Sequence, residues 1–267
     1  MSFKLGYCAL RWREPDLEAA LTELKKIGWD GWECRLPLDW LGTPKHVKQI
    51  CDNVGMPMAV YSAAGTPDSR DYANVERNKR RMEFAAEMGA DCFLYMNGRK
   101  PEGRTVTDAD VIAAAEGADA WADYAAQLGL ELTYHIHTNL LVDNIAHWRL
   151  YMQHLDKAKL CIDVSHAELW GYDPVASLRD FAGQLNYVHL QDYASCTVRK
   201  EGEYNPEWVA VGQAECLDFG GVRDVLHDID YNRWVTGCPG APPPGDDPVS
   251  EAKRSKAMFE YMKRMGF

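Results

Sequence analysis

The 267-residue sequence predicts a closed (β/α)8 barrel, and three observations lead there. Eight strand-like apolar runs alternate with amphipathic helical stretches. Their starts are separated by roughly 25 to 45 residues, the length of one strand–helix unit with its loops. No Ser/Gly-rich linker interrupts the series, so residues 1–267 read as one domain. A doubly wound sheet is the alternative, but eight regular units in this length favour closure.

The strand candidates, in order, are 4–9, 31–36, 57–62, 91–96, 131–137, 159–165, 186–191 and 233–238. After the first, Leu17, Ala20, Leu21, Leu24 and Ile27 repeat at the helical period. Residues 78–88 and 111–128 do likewise, and the closing helix at 251–265 carries Ala257, Met258, Tyr261 and Met262 on one stripe. Gly28, Gly55, Gly89 and Gly129 each end a helical run just before a strand, where a left-handed terminator is expected. The Pro-dense stretch 239–248 reads as a loop before the last helix.

Composition limits the function classes. Lys+Arg is 29 against Asp+Glu 40, a net charge of −11, which repels phosphate backbones and anionic lipid heads. Nucleic acid and membrane are therefore poor partners, and no apolar run is long enough to span a bilayer. Lys4, Arg11 and Arg13 stand too close together to enclose a signal-peptide apolar region, so a cytoplasmic location is expected. The eight cysteines are never closer than 17 positions and form no CxxC pair. All but Cys238 read as small buried hydrophobes of a reducing compartment.

In such a barrel the chemistry sits where the strands end. The fifth candidate ends in Thr133-Tyr134-His135-Ile136-His137, and period two puts His135 and His137 on one face. The sixth ends in Asp163-Val164-Ser165-His166, the seventh in His189-Leu190-Gln191-Asp192, and the second carries Glu33 and Arg35 on a common face. A lone strand histidine is commonly a packed one. Imidazoles and a carboxylate at consecutive barrel mouths are instead the donors a divalent cation requires. His46, His147, His154 and His227 fall on helices and read as surface residues.

At these residues the chain resembles the xylose-isomerase-like TIM barrels of the sugar phosphate isomerase/epimerase superfamily, and within them the inosose-dehydratase-like branch. Tyr134-His135-Ile136-His137 is similar to that branch's Tyr-His-x-His. Asp163 to His166 with Gly171-Tyr172-Asp173-Pro174 is similar to Asp-x-x-His…Gly-x-Asp-Pro, and His189 to Asp192 to His-(Leu/Val)-Lys-Asp. Residues 211–219 resemble the Val-Gly-Glu-Gly-x-x-Asp-Phe segment before the last unit. The resemblance implies one divalent metal (manganese, magnesium, cobalt or zinc) held by a strand-five Glu or its substitute, a strand-six Asp, a strand-seven His and a strand-eight Glu. Asp163 and His189 match directly, His135 stands where many members have Glu, and Cys238 falls where the strand-eight Glu belongs. Gln191 takes the place of the usual Lys. As a thiolate, Cys238 would favour zinc over magnesium; as a small residue before the Pro-rich loop it leaves the metal weakly held or absent.

The resemblance implies an isomerase or epimerase that takes an α-proton from a keto-sugar or cyclitol. The alternatives are a lyase or dehydratase eliminating from an inosose or 3-keto-glycoside, or a catalytically reduced sugar-binding barrel. His137, His166 and Glu33 are the candidate bases. Arg35 and Gln191 are candidates for holding substrate hydroxyls, and Trp12, Trp170 and Trp208 for stacking on a sugar ring. A homo-oligomer or a small partner subunit would fit the same reading. An endonuclease-like metal cluster ranks last, because the chain offers neither its ligands nor a basic groove.

Overall fold

The computed structural model describes residues 3–63, 72–198, 203–214 and 216–267. Its elements run β1 (Lys4–Ala9), α1 (Glu14–Ile27), β2 (Gly31–Cys34), α2 (Pro44–Val54), β3 (Met58–Ala63), α3 (Tyr72–Met88) and β4 (Cys92–Tyr95). They continue with α4 (Asp108–Gln127), β5 (Glu131–His135), α5 (Ile145–His154), β6 (Lys159–Asp163), α6 (Val164–Leu169), α7 (Pro174–Asp180) and β7 (Leu185–Leu190). The chain ends with β8 (Asp192–Val198), β9 (Tyr204–Val209), α8 (Phe219–Asp228), β10 (Trp234–Gly237) and α9 (Pro248–Met265). Eight of these strands form a closed parallel barrel in the order β1-β10-β7-β6-β5-β4-β3-β2. The expected (β/α)8 architecture is the observed one.

Local chemistry sets the element ends. Gly28, Gly55, Gly89 and Gly129 all adopt positive φ (119°, 70°, 73° and 78°), the left-handed stop expected of them. Helix starts carry side-chain acceptors: Thr107 and Asp110 form a capping box on α4, and Asn144, Asp173, Asp218 and Asp247 cap α5, α7, α8 and α9. Asp173, Pro174 and Gly171 (φ 77°) from the Gly-x-Asp-Pro match are thus turn and cap residues.

Three expectations need correction. The second, fifth and sixth strands end two residues early, at Cys34, His135 and Asp163, the last because Asp163 caps α6 by accepting from the Ser165 amide. The antiparallel hairpin β8–β9 after the seventh strand was not expected. Among the cysteines, Cys216 is exposed and Cys196 half-buried, whereas Cys8, Cys34, Cys51, Cys92, Cys161 and Cys238 are buried.

The barrel interior is layered. Its floor is apolar, built from Val60, Cys92, Leu94, Cys161, Tyr187 and Trp234, and each side chain of this kind taken from water stabilises by roughly 1.5–3 kcal/mol. Above that floor lie Glu33, His135, Asp163 and His189, all fully buried. Removing charges from water costs several kcal/mol per ion, so these groups persist only where their partners compensate.

Candidate active site

The site is built on strand ends that register places side by side. In the β6–β7 pair Asp163 stands opposite His189, and in the β10–β7 pair Thr236 stands opposite His189. Cys238 follows one residue beyond β10, its amide donating to the Leu190 carbonyl at 2.8 Å. Glu33 reaches across the barrel from β2, past β1 and β10, to bond His189 Nε2. Its other oxygen accepts from Arg35 Nε at 2.6 Å and from the Cys8 thiol at 3.6 Å. Burial would raise the Glu33 carboxyl, but His189 and Arg35 more than reverse this and hold it well below the carboxylate range. Glu33, expected as a base, is thus a buried carboxylate ion-paired with His189 and Arg35.

His189 shows the consequence. Burial lowers the ring and Glu33 raises it well above the ordinary imidazole range; the Glu33 carboxylate fixes a proton on Nε2, and the Arg35 guanidinium opposes a second one on Nδ1. Nδ1 lies 3.1 Å from Arg35 Nη2, a permanent donor, and therefore keeps its lone pair. A carboxylate behind one ring nitrogen with a lone pair in front is the usual support of a metal-binding histidine. That lone pair faces Asp163 Oδ2 at 3.7 Å, and His135 Nε2 is also 3.7 Å from the same oxygen. Asp163 Oδ2 and both ring nitrogens of His135 are buried with no hydrogen-bond partner among the described residues. Ser165 fixes the other Asp163 oxygen through its amide (3.0 Å) and hydroxyl (2.6 Å). Ligand atoms of Asp163, His189 and Cys238 lie within 4.8 Å of one another, as do those of His135, Cys161 and His189. This is a cluster of nitrogen, oxygen and sulfur donors of the kind a divalent cation takes, in which Asp163 Oδ2 and the His135 nitrogens are otherwise unsatisfied.

A second pair of imidazoles lies at the rim. His137 and His166 have ring centroids 4.1 Å apart. His137 Nδ1 donates to the Thr138 carbonyl at 2.7 Å, which leaves a lone pair on Nε2. His166 Nδ1 accepts from the Thr138 amide at 3.3 Å, so its neutral ring carries the proton on Nε2, 3.9 Å from Asp163 Oδ2. Burial, then the neighbouring His166, lowers His137 to about 3. Burial, opposed by Asp163, lowers His166 to about 4. One residue, Thr138, thus fixes two neutral rings in opposite tautomers. His137 is half-exposed whereas His166 is buried.

The aromatic expectations divide. Trp208, on β9, sets its half-buried indole 5.1 Å from His166, and Asn139 ties the hairpin down through two bonds to Tyr204. Trp12 is fully buried and stacked between Tyr7 and Trp32. Trp170 packs on Trp148 and spends its N–H on Asp143. Both are core residues, not rings open to a sugar. Gln191 is half-buried just past β7. Of the helix histidines, His46, His154 and His227 are exposed and His147 half-buried. Sequence reasoning missed Cys8, Thr138 and Ser165; the Asp-x-Ser start of α6 is a capping pattern that was there to be read. Glu215, within the resemblance at 211–219, lies outside the described residues.

A closed parallel barrel with imidazoles and carboxylates converging above its floor defines a (β/α)8 enzyme. The profile of the xylose isomerase-like TIM barrel family matches residues 21–264, and the chain belongs to that family. An inosose dehydratase from Geobacillus kaustophilus is 30% identical, with 98% of this chain and 94% of that protein aligned. A second, from Lacticaseibacillus casei, is 23% identical over 97% of each. Among solved structures, a 3-keto-D-glucoside 4-epimerase from E. coli superimposes with a TM-score of 0.75 at 17% identity, covering 97% of this chain and 100% of that one. No helix of the described residues is long and apolar enough to cross a membrane.

Proposed function

We propose that this enzyme removes the proton beside the carbonyl of a keto-cyclitol or keto-sugar, with a divalent cation, and expels the neighbouring hydroxyl as water. The observation that carries the reading is the His137–His166 pair, a free lone pair beside an N–H, next to the buried donors of Asp163, His135 and His189. A cation held by His135, Asp163, His189 and Cys238 would supply Lewis acidity to the carbonyl. The sulfur ligand favours zinc or cobalt over manganese or magnesium.

His137 Nε2 takes the α-proton. The electron pair of the broken C–H bond moves onto the carbonyl oxygen, then forms the new C=C bond as the β C–O bond breaks. The proton on His137 leaves with the hydroxide as water, so one base serves both halves of the reaction. The Nε2–H of neutral His166 hydrogen-bonds the oxygen where charge develops. Trp208 offers a ring face for the substrate, and Arg35 and Gln191 offer donors for its hydroxyls. Epimerisation with reprotonation from the far side would call for a second base. The facing wall, β1, β2 and β10, carries Cys8, Cys238 and the pinned Glu33, which supports elimination. The curated relatives called inosose dehydratases support the same outcome. We place the enzyme in the cytoplasm, in keeping with its free cysteines.

The test is incubation of the zinc- or cobalt-loaded enzyme with an inosose in D2O. The expected results are a product one water lighter by mass spectrometry, and a loss of about 100-fold or more in His137→Gln. Deuterium entering recovered substrate of inverted configuration, without dehydration, would transfer the reading to epimerisation. Undiminished turnover in His137→Gln would remove the assigned base.

A further inference from the structure

The donor set proposed for the cation already has a cation, Arg35, lying against it. Arg35 Nε is anchored on Glu33 Oε1 at 2.6 Å, and its Nη2 lies 3.1 Å from His189 Nδ1, the nitrogen that faces Asp163 Oδ2. A zinc–nitrogen bond is about 2.0–2.1 Å, so a bound ion would take the same lone pair from the same direction and bring two or more positive charges together. Arginine cannot relieve that repulsion by losing a proton. Its side chain is 18% exposed and so has room on one side, whereas Glu33 is fully buried.

We infer that Arg35 and the divalent cation are alternative occupants of the His189 Nδ1 lone pair. Metal loading breaks the Arg35–His189 contact, and the guanidinium pivots on its Nε–Glu33 bond to present Nη2 to the substrate. Arg35 is thus a positioning residue that sets how tightly the metal is held. It also couples metal binding to the assembly of a donor for substrate oxygens. The inference rests on the cation assigned above, and metal affinity itself, not turnover, tests it.

The experiment is competition for Zn2+ and Co2+ between a chromophoric chelator and the metal-stripped full-length protein. It compares wild type with Arg35→Gln, Arg35→Lys and, as a charge control, Arg11→Gln at an exposed position. Arg35→Gln is expected to bind zinc at least tenfold more tightly than wild type. Arg35→Lys keeps the charge on Glu33 without the fork that reaches His189, so it should bind at least threefold more tightly. Arg11→Gln should match wild type. Circular dichroism confirms folding, and if the glutamine variant does not fold the lysine variant decides alone. Wild-type binding with unchanged or weaker affinity in the folded Arg35 variants would overturn the inference and leave the cation reading standing. No binding by any of the four proteins would overturn the cation reading and this inference with it.

Discussion

Lowering the pH from 6.5 to 4.5 should unfold this protein through its own site, because the barrel mouth keeps three imidazoles neutral. Burial, then His189, lowers His135 to about 3. His137 also lies at about 3 and His166 at about 4. An unfolded histidine titrates near 6.5, so below that pH the unfolded chain takes up protons that the folded chain refuses. The folded pKa is depressed for a base; stability from these groups is therefore complete above about 6.5 and lost as the pH falls below it. Each group accounts for about 2 kcal/mol between pH 6.5 and 4.5, and the three together for roughly 6–7 kcal/mol. That is comparable to the whole stability of an ordinary domain, about 5–15 kcal/mol. Glu33 and Asp163, both held well below the carboxylate range, add loss in the same direction at still lower pH. The assay is urea denaturation followed by circular dichroism at pH 6.5, 5.5 and 4.5, with chelator present so that no metal holds the rings. The expected result is a loss approaching 7 kcal/mol, or unfolding before pH 4.5. His137→Gln should remove about 2 kcal/mol from the pH-dependent part. A total loss below about 2 kcal/mol would mean that fewer than one imidazole is kept neutral, and the reasoning from burial would fail.

Other perturbations separate the parts of the site. Glu33→Gln removes the negative partner of His189 and Arg35 inside the barrel and should lower the urea-derived stability by about 3–5 kcal/mol at pH 7; an unchanged midpoint would mean that the pair is dispensable. Cobalt-loaded protein should show a thiolate-to-metal absorption band that Cys238→Ala abolishes while the Cys161→Ala protein retains it; a band surviving without Cys238 would assign the sulfur elsewhere. Gly31→Ala places a Cβ 2.6 Å from the Trp234 ring and 2.8 Å from the Pro57 carbonyl, with backbone on one side. It should cost about 1–3 kcal/mol by thermal or urea melting, because the β2–β3 edge cannot yield.

The barrel was legible because its signals are local. Strand runs, helical stripes and glycine stops each report on a few neighbouring residues, and eight repetitions in one direction leave few ways to close. The hairpin β8–β9 escaped because its residues are largely exposed or half-buried, so no apolar alternation marks it. At the site, the sequence could nominate His135, His137, Asp163, His166 and His189 from their places at strand ends. It could not tell Trp208 from Trp12 and Trp170, since all three are indoles near loops and only packing shows which ring faces the mouth.

What the sequence determined by itself was the architecture, the family and the rim on which the chemistry sits, because periodicity and motif order survive in one dimension. The tertiary structure alone decided which of these groups meet. Glu33 and Arg35 lie two residues apart in the chain, yet their chemistry is set by His189, 156 positions from Glu33. That carboxylate is ion-paired with His189, and that guanidinium lies against the other nitrogen of the same ring, because closing the barrel brings β2 within reach of β7. Charge and protonation depend on what lies within a few ångströms, and only the closed fold fixes that.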